Sequence, residues 1–125
     1  MADVPYQRMF DIIAPSLPLE WAKVVLYAAF QEDVCEVKYY VQDDRGQYSD
    51  CFELHHDQDE ILLILVQLTC MISEARAQLE VDDRWTTMTF CVESDGGFRA
   101  DYEHSGPSDD RSAVHADWKR RYLVP

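Results

Sequence analysis

The chain places its most ligand-like side chains together at His55-His56-Asp57-Gln58-Asp59. Two imidazoles and two carboxylates could hold a metal ion and activate water on it. The spacing works against that chemistry. Neighbouring residues of a strand point to opposite faces, and in a helix they sit about 100° apart, so His55 and His56 are poorly placed to chelate one ion. Asp57 and Asp59 have a simpler use as acids at a helix start, where they complement the dipole. The stretch from Asp43 to Asp50 invites a calcium reading. An EF-hand loop with Gly46 in sixth place would begin at Val41 and end at Phe52, neither of which is a carboxylate.

Other chemistries find less support. No G-x-S-x-G elbow occurs, and Ser49, Ser73 and Ser94 have no His nearby in sequence. His104 and His115 could approach one another across the last loop. The one glycine pair, Gly96-Gly97, follows an Asp and reads as turn chemistry, not as a phosphate cradle. Cysteines stand at 35, 51, 70 and 91, with no C-x-x-C and no Cys-His spacing of a zinc site. They read as reduced core residues acting as small hydrophobes. The basic tail Lys119-Arg120-Arg121 is the one candidate for nucleic-acid contact, and at a helix C-terminus it complements the dipole. The expectation is a protein without catalytic residues, metal or cofactor.

Charge is the more telling property. The chain carries 24 Asp and Glu against 11 Lys and Arg, a formal charge of -13 on 125 residues. Residues 43–60 hold seven acids and one Arg, and residues 82–110 hold eight acids and two Arg. Such a surface repels nucleic acid and anionic lipid and steers a basic protein toward itself. With 47% apolar residues the chain has the means to fold. It starts without the pattern of a secretory signal, and apolar runs such as Ile61–Val66 are far short of the roughly 20 residues of a membrane span. A soluble, cytoplasmic protein of one domain over residues 1–125 is expected.

The elements that would position these residues follow from periodicity. Tyr6, Met9, Phe10 and Ile13 have helical spacing within residues 3–14, ended by Pro15 and Pro18. Residues 21–42 and 47–52 predict a three-stranded meander, with Cys35, Val37, Tyr39 and Val41 on one face and Glu36, Lys38 and Tyr40 on the other. Residues 57–80 predict the longest helix, opened by a capping box from Asp57 and Glu60. Residues 61–72 are apolar on nearly every side, which predicts a buried helix across the sheet. Residues 85–92 predict a half-buried strand, paired through Ser94-Asp95-Gly96-Gly97 with a strand bearing Phe98, Ala100 and Tyr102. Ser108 can cap a last helix in which Val114 and Trp118 face inward. The fold class expected is α+β: an antiparallel sheet of about five strands, in the order helix-β-β-β-helix-β-β-helix, with the helices packed on one face in two layers.

One ordered set of pieces goes further. It runs Trp21-x-x-Val24-x-Leu26-Tyr27-Ala28, then Glu32-Asp33 and Tyr39-Tyr40. Beyond the long helix come Trp85-Thr86-x-x-Thr89-Phe90, Ser94-Asp95-Gly96-x-Phe98-x-x-Asp101-Tyr102 and Trp118-Lys119-x-x-Tyr122-Leu123. From about residue 10 to residue 123 the chain resembles the YezG-like family of bacterial immunity proteins. The resemblance implies a small cytoplasmic antitoxin that binds and blocks the C-terminal domain of a polymorphic toxin of the contact-dependent growth inhibition kind. The matching aromatics, Trp21, Tyr27, Trp85, Phe90, Phe98, Tyr102 and Trp118, read as scaffold.

The expected function is therefore stoichiometric inhibition. The partner would be a basic toxin domain, a nuclease in the leading reading, whose substrate groove takes acidic side chains in place of phosphates; neither nucleic acid nor membrane would be bound directly. The expected contact surface is Asp43, Asp44, Asp50, Glu53, Asp57, Asp59 and Glu60, with Tyr48 and Phe52 as candidate anchors. Asp95, Asp101, Glu103, Asp109 and Asp110 form a reserve belt. Two rivals stand beside this reading: a metal-dependent hydrolase using His55, His56 and nearby carboxylates, and an acidic adaptor or chaperone for basic clients.

Overall fold

The computed structural model describes residues 4–31, 34–54, 57–104 and 111–123. Helix α1 (Tyr6–Ile13) passes through a 3-10 turn into strand β1 (Trp21–Gln31), which turns back as β2 (Val34–Asp43) and then short β3 (Tyr48–Asp50). Helix α2 (Gln58–Ala77) follows, then β4 (Thr87–Glu93), β5 (Phe98–Glu103) and α3 (Arg111–Tyr122). All pairings are antiparallel, and the sheet order is β3-β2-β1-β4-β5. The expected α+β class, strand number and element order all hold.

Register explains how the sheet carries helices. Rows across β2, β1 and β4 align Val41 with Val24 and Val92, Tyr39 with Leu26 and Phe90, and Val37 with Ala28 and Met88. These side chains form the larger core with Met9 and Ile13 of α1 and Ile61, Leu68 and Ile72 of α2. The intervening rows align Tyr40 with Val25 and Cys91, and Lys38 with Tyr27 and Thr89. A strand alternates its faces, so these residues belong to the other side of the sheet. Trp118 of α3 joins Val25, Tyr27 and Tyr40 there in a second core. The helices are thus not all on one face: α1 and α2 cover one side, and α3 adds a third layer. For the same reason β4 is buried on both faces, Thr87 and Thr89 included, where half-burial was expected.

The β2–β3 and β4–β5 turns share one chemistry. Gly46 (φ 85°) and Gly96 (φ 98°) hold the left-handed conformation that follows a type I turn, and each donates its amide to the carbonyl three residues back. Asp43 Oδ1 accepts from the amides of Arg45 and Gln47, both at 2.9 Å, and Asp95 Oδ1 accepts from the Gly97 amide at 2.9 Å. The acids at these turns therefore build the turns as well as charging them.

Helix α2 departs most from expectation. Its inner side buries Ile61, Leu68, Ile72 and Ala75. Leu62, Leu63 and Val66 remain 50%, 58% and 57% exposed. A helix lying on a sheet has one side to bury, and this one carries more apolar residues than that side can take. Its start also differs. Asp57 caps the helix by accepting from the Asp59 amide at 3.0 Å, whereas the reciprocal capping box belongs to Asp50 and Glu53 at the preceding 3-10 turn. At the far end Arg84 donates to the carbonyls of Ala77 (3.0 Å) and Leu79 (3.3 Å). Cys70 lies on the exposed side of α2, unlike a core cysteine; Cys51 is buried, Cys35 and Cys91 are half-buried, and all four are free thiols.

Candidate partner-binding surface

The acids of residues 43–60 sit on consecutive short structures between the end of β2 and the first turn of α2. Asp43 and Asp44 form the β2–β3 turn, Asp50 ends β3, Glu53 lies in the 3-10 turn, Asp57 caps α2, and Asp59 and Glu60 occupy its first turn. Asp44, Glu53, Asp57, Asp59 and Glu60 are exposed. Asp50 is different. It is half-buried, paired with Lys38, and accepts from the Phe52 amide at 2.8 Å. Burial opposes its charge, yet the Lys38 and Phe52 hydrogen bonds prevail and hold its carboxyl below the ordinary value. Asp50 is therefore anchored inward. Among the described residues Asp43, Asp44, Glu53, Asp57 and Asp59 make no ion pair.

Two acids of the reserve belt, Asp101 and Glu103, are neutralised within the molecule. Glu103 pairs with Arg121 of α3, which also meets Asp117 at 3.1 Å. Asp101 takes Arg99 at 3.3 Å and a hydrogen bond from the Tyr122 hydroxyl at 3.2 Å. Exposed pairs of this kind add little stability, but they cancel charge. The basic tail thus serves the sheet edge beside it. Asp109 and Asp110 lie outside the described residues.

The two candidate anchors are structural in their surroundings. Tyr48 is half-buried against the second core, with Lys23 Nζ 5.8 Å from its ring centroid. Phe52 packs on the larger core. The apolar surface that does stand free, Leu62, Leu63 and Val66, was hidden in the sequence by being read as core. Its signal was there: an all-round apolar helix has apolar residues left over unless it is covered on every side. A second apolar feature is an open groove of about 370 Å³ between α1 and the β4–β5 hairpin, walled by Tyr6, Phe10, Trp21, Phe90 and Phe98.

Catalytic arrangements fare as follows. His55 and His56 lie outside the described residues. Among the described residues no three His, Cys, Asp or Glu side chains converge as metal ligands. His104 and His115 do not meet: His104 Nε2 is 3.2 Å from the Asp83 carbonyl, whereas His115 stacks on Tyr27 with centroids 4.5 Å apart. His115 Nε2 lies 2.9 Å from the Tyr40 hydroxyl, and its Nδ1 lies 3.6 Å from Glu36. Burial lowers its pKa against the opposing pull of Glu36. Burial likewise pushes up the Tyr40 hydroxyl and the thiols of Cys35 and Cys51, the latter two to about 11. His115 and Tyr40 meet between α3 and the sheet, Cys35 and Cys51 belong to the larger core on the other face, and none of these groups is an activated nucleophile.

The model of the YezG-like immunity protein family matches residues 2–123. The chain belongs to that family. The role it inherits at this level is the general one of an immunity protein. The chain is similar to an Immunity protein YezG of Bacillus spizizenii, 29% identical over 106 residues covering 79% of this chain and 66% of that protein. It is also similar to an Immunity protein YezG of Bacillus subtilis, 26% identical over 126 residues, or 95% of this chain and 81% of that one. The match to the first relative thus spans just under two thirds of that protein's length. Among the described residues no helix is long and apolar enough to cross a membrane.

Proposed function

We propose that the protein is a cytoplasmic, non-catalytic immunity protein that binds a cognate toxin domain of a contact-dependent inhibition system. The acidic segment 43–60 lies against a basic surface of the toxin, a nuclease groove in the most specific form of the proposal. Membership of the immunity family supports the role. The observation that carries the contact surface is the run of exposed acids from the β2–β3 turn to the start of α2. Asp44, Glu53, Asp57 and Asp59 are exposed and make no ion pair among the described residues, whereas Asp101 and Glu103 of the reserve belt meet Arg99 and Arg121 within the chain. Carboxylates on turns and a helix start project a field that speeds encounter with a basic partner and orients it. They also take the place of phosphates in a groove built to hold a polyanion.

The test is co-expression with the C-terminal toxin domain encoded beside this chain. Growth should be rescued, and the two proteins should co-purify in equal amounts. Good expression of both without rescue would refute the immunity role.

A further inference from the structure

Leu62, Leu63 and Val66 stand on adjoining turns of the outward side of α2, each at least half exposed. Scattered surface aliphatics require no explanation, but Val66 lies one turn from both Leu62 and Leu63, so the three form a patch. The first turn before them carries exposed Asp59 and Glu60, with Asp57 at the cap. Long helical side chains lean toward the N-terminus, so Leu62 and Leu63 cover the turn on which Asp59 sits. Aliphatic centre and carboxylate rim are thus one continuous surface.

Two of the three classes of cover for this patch meet opposition. Anionic lipid would face Asp57, Asp59 and Glu74, and among the described residues of α2 no cation is exposed to hold it. A second copy of the chain would pair α2 with α2. Parallel pairing sets the acidic first turns together, and antiparallel pairing sets each against the exposed Glu74 of the other. The cations nearest that end are engaged at home: Arg76 donates to the Trp85 carbonyl at 2.8 Å and lies 4.4 Å from the Phe30 ring, and Arg84 caps α2. A net charge of -13 adds to the repulsion between copies. A basic protein meets no such opposition.

We propose that the outward face of α2 is the energetic centre of the toxin contact. Leu62, Leu63 and Val66 enter an apolar recess of the partner, and lysines or arginines around that recess meet Asp57, Asp59 and Glu60. This rests on the immunity reading above and gives it what charge alone does not supply, since rim charges set encounter and a desolvated apolar centre sets residence time.

The test compares the wild-type chain with the triple variant Leu62→Ser, Leu63→Ser, Val66→Ser for binding to the cognate toxin domain. All three side chains are exposed, so the variant should keep its circular dichroism and melting behaviour. The expected result is an affinity loss of about a hundredfold, or about fivefold for each of the three side chains, carried by faster dissociation with the salt dependence of association unchanged. Cys70, one turn beyond Val66 and the exposed thiol of the four, gives a second readout on the unaltered chain: its alkylation by a maleimide should slow at least about tenfold in the complex, as expected of a thiol inside a water-excluding interface. If wild type binds and the variant binds equally well, this inference fails and the immunity reading stands. If wild type does not bind, both fail. Loss of binding on Phe98→Ala, with the triple variant intact, would overturn it in favour of the aromatic groove. A wild-type dimer that the triple variant dissolves would overturn it in favour of self-association.

Discussion

Replacing Trp118 with alanine tests whether α3 holds the second face of the sheet. Trp118 is fully buried, and its Nε1–H donates to Thr89 Oγ1 at 2.8 Å. Its ring lies 4.7 Å from that of Tyr27, 5.7 Å from Tyr40 and 5.5 Å from Tyr122. The second core is small, so no neighbouring aliphatic can move into the space. Truncating a buried Trp costs about 3–5 kcal/mol through lost transfer energy and the cavity left behind. The Thr89 hydroxyl also loses the indole N–H as one of its partners, Tyr122 being the other, which places the loss toward the upper part of that range. Against a total of about 5–15 kcal/mol for a domain, such a loss is a large fraction.

The conservative variant Trp118→Phe separates packing from the hydrogen bond. It keeps an aromatic ring against Tyr27 and gives up the indole N–H, so about 1–2 kcal/mol is expected from the bond and the smaller ring. At roughly 3–5 °C per kcal/mol for a chain of this length, the alanine variant should melt about 12–25 °C below wild type and the phenylalanine variant about 3–10 °C below. Differential scanning calorimetry, checked by urea midpoints, measures both. Alanine and wild-type proteins melting within about 2 °C of one another, a shift worth under 1 kcal/mol, would refute the three-layer reasoning. In that case α3 would contribute nothing to the sheet.

Two further outcomes follow from the same geometry. Burial depresses the pKa of His115 while Glu36 and Asp50 oppose, and Lys38 and Lys119 assist, the depression. The unfolded chain therefore takes up its proton first. The stability His115 permits is complete above its unfolded pKa near 6.5 and falls as pH drops from there toward the folded value. His115→Phe keeps the stack on Tyr27 and should flatten that part of the stability profile in urea titrations; an unchanged slope would show that His115 stays protonatable in the fold. Reversing Asp57, Asp59 and Glu60 to Lys should slow association with the toxin domain at low salt and weaken its salt dependence, measured by stopped flow. An unaltered on-rate would move the electrostatic contact away from the start of α2.

Local signals in the sequence located nearly every element, because each depended on residues close together. The two turns were legible from Asp and Gly at fixed offsets, and the alternation Cys35, Val37, Tyr39, Val41 against Glu36, Lys38, Tyr40 gave the faces of β2 correctly. What remained hidden was non-local. Tyr40 was readable as lying off the face of Cys35, Val37, Tyr39 and Val41, but nothing near it in sequence said that Trp118 would cover it from the far end of the chain. Likewise the apolar run 61–72 stated how hydrophobic α2 is, not how many sides of it would find cover. The acids of residues 43–60 were visible at once as charge. Which of them stay outward was not, since Asp50 turned inward depends on Lys38 across the β2–β3 pairing.

Those two hidden features bear on each other. A sheet with one covered face would need α2 to supply most of the stability, and an aliphatic surplus on that helix would then be a liability. Covering the second face with α3 adds an independent core of four buried residues, Val25, Tyr27, Tyr40 and Trp118. The cation-rich end of α3 also takes up charge on the β5 side through Arg121 and Glu103. Exposed acids without ion pairs among the described residues remain at the opposite sheet edge and the start of α2. On the proposed contact, stability and recognition lie on different elements. Substitutions along Leu62, Leu63 and Val66 can alter the partner without reaching the core, whereas changes at Trp118 strike the fold first.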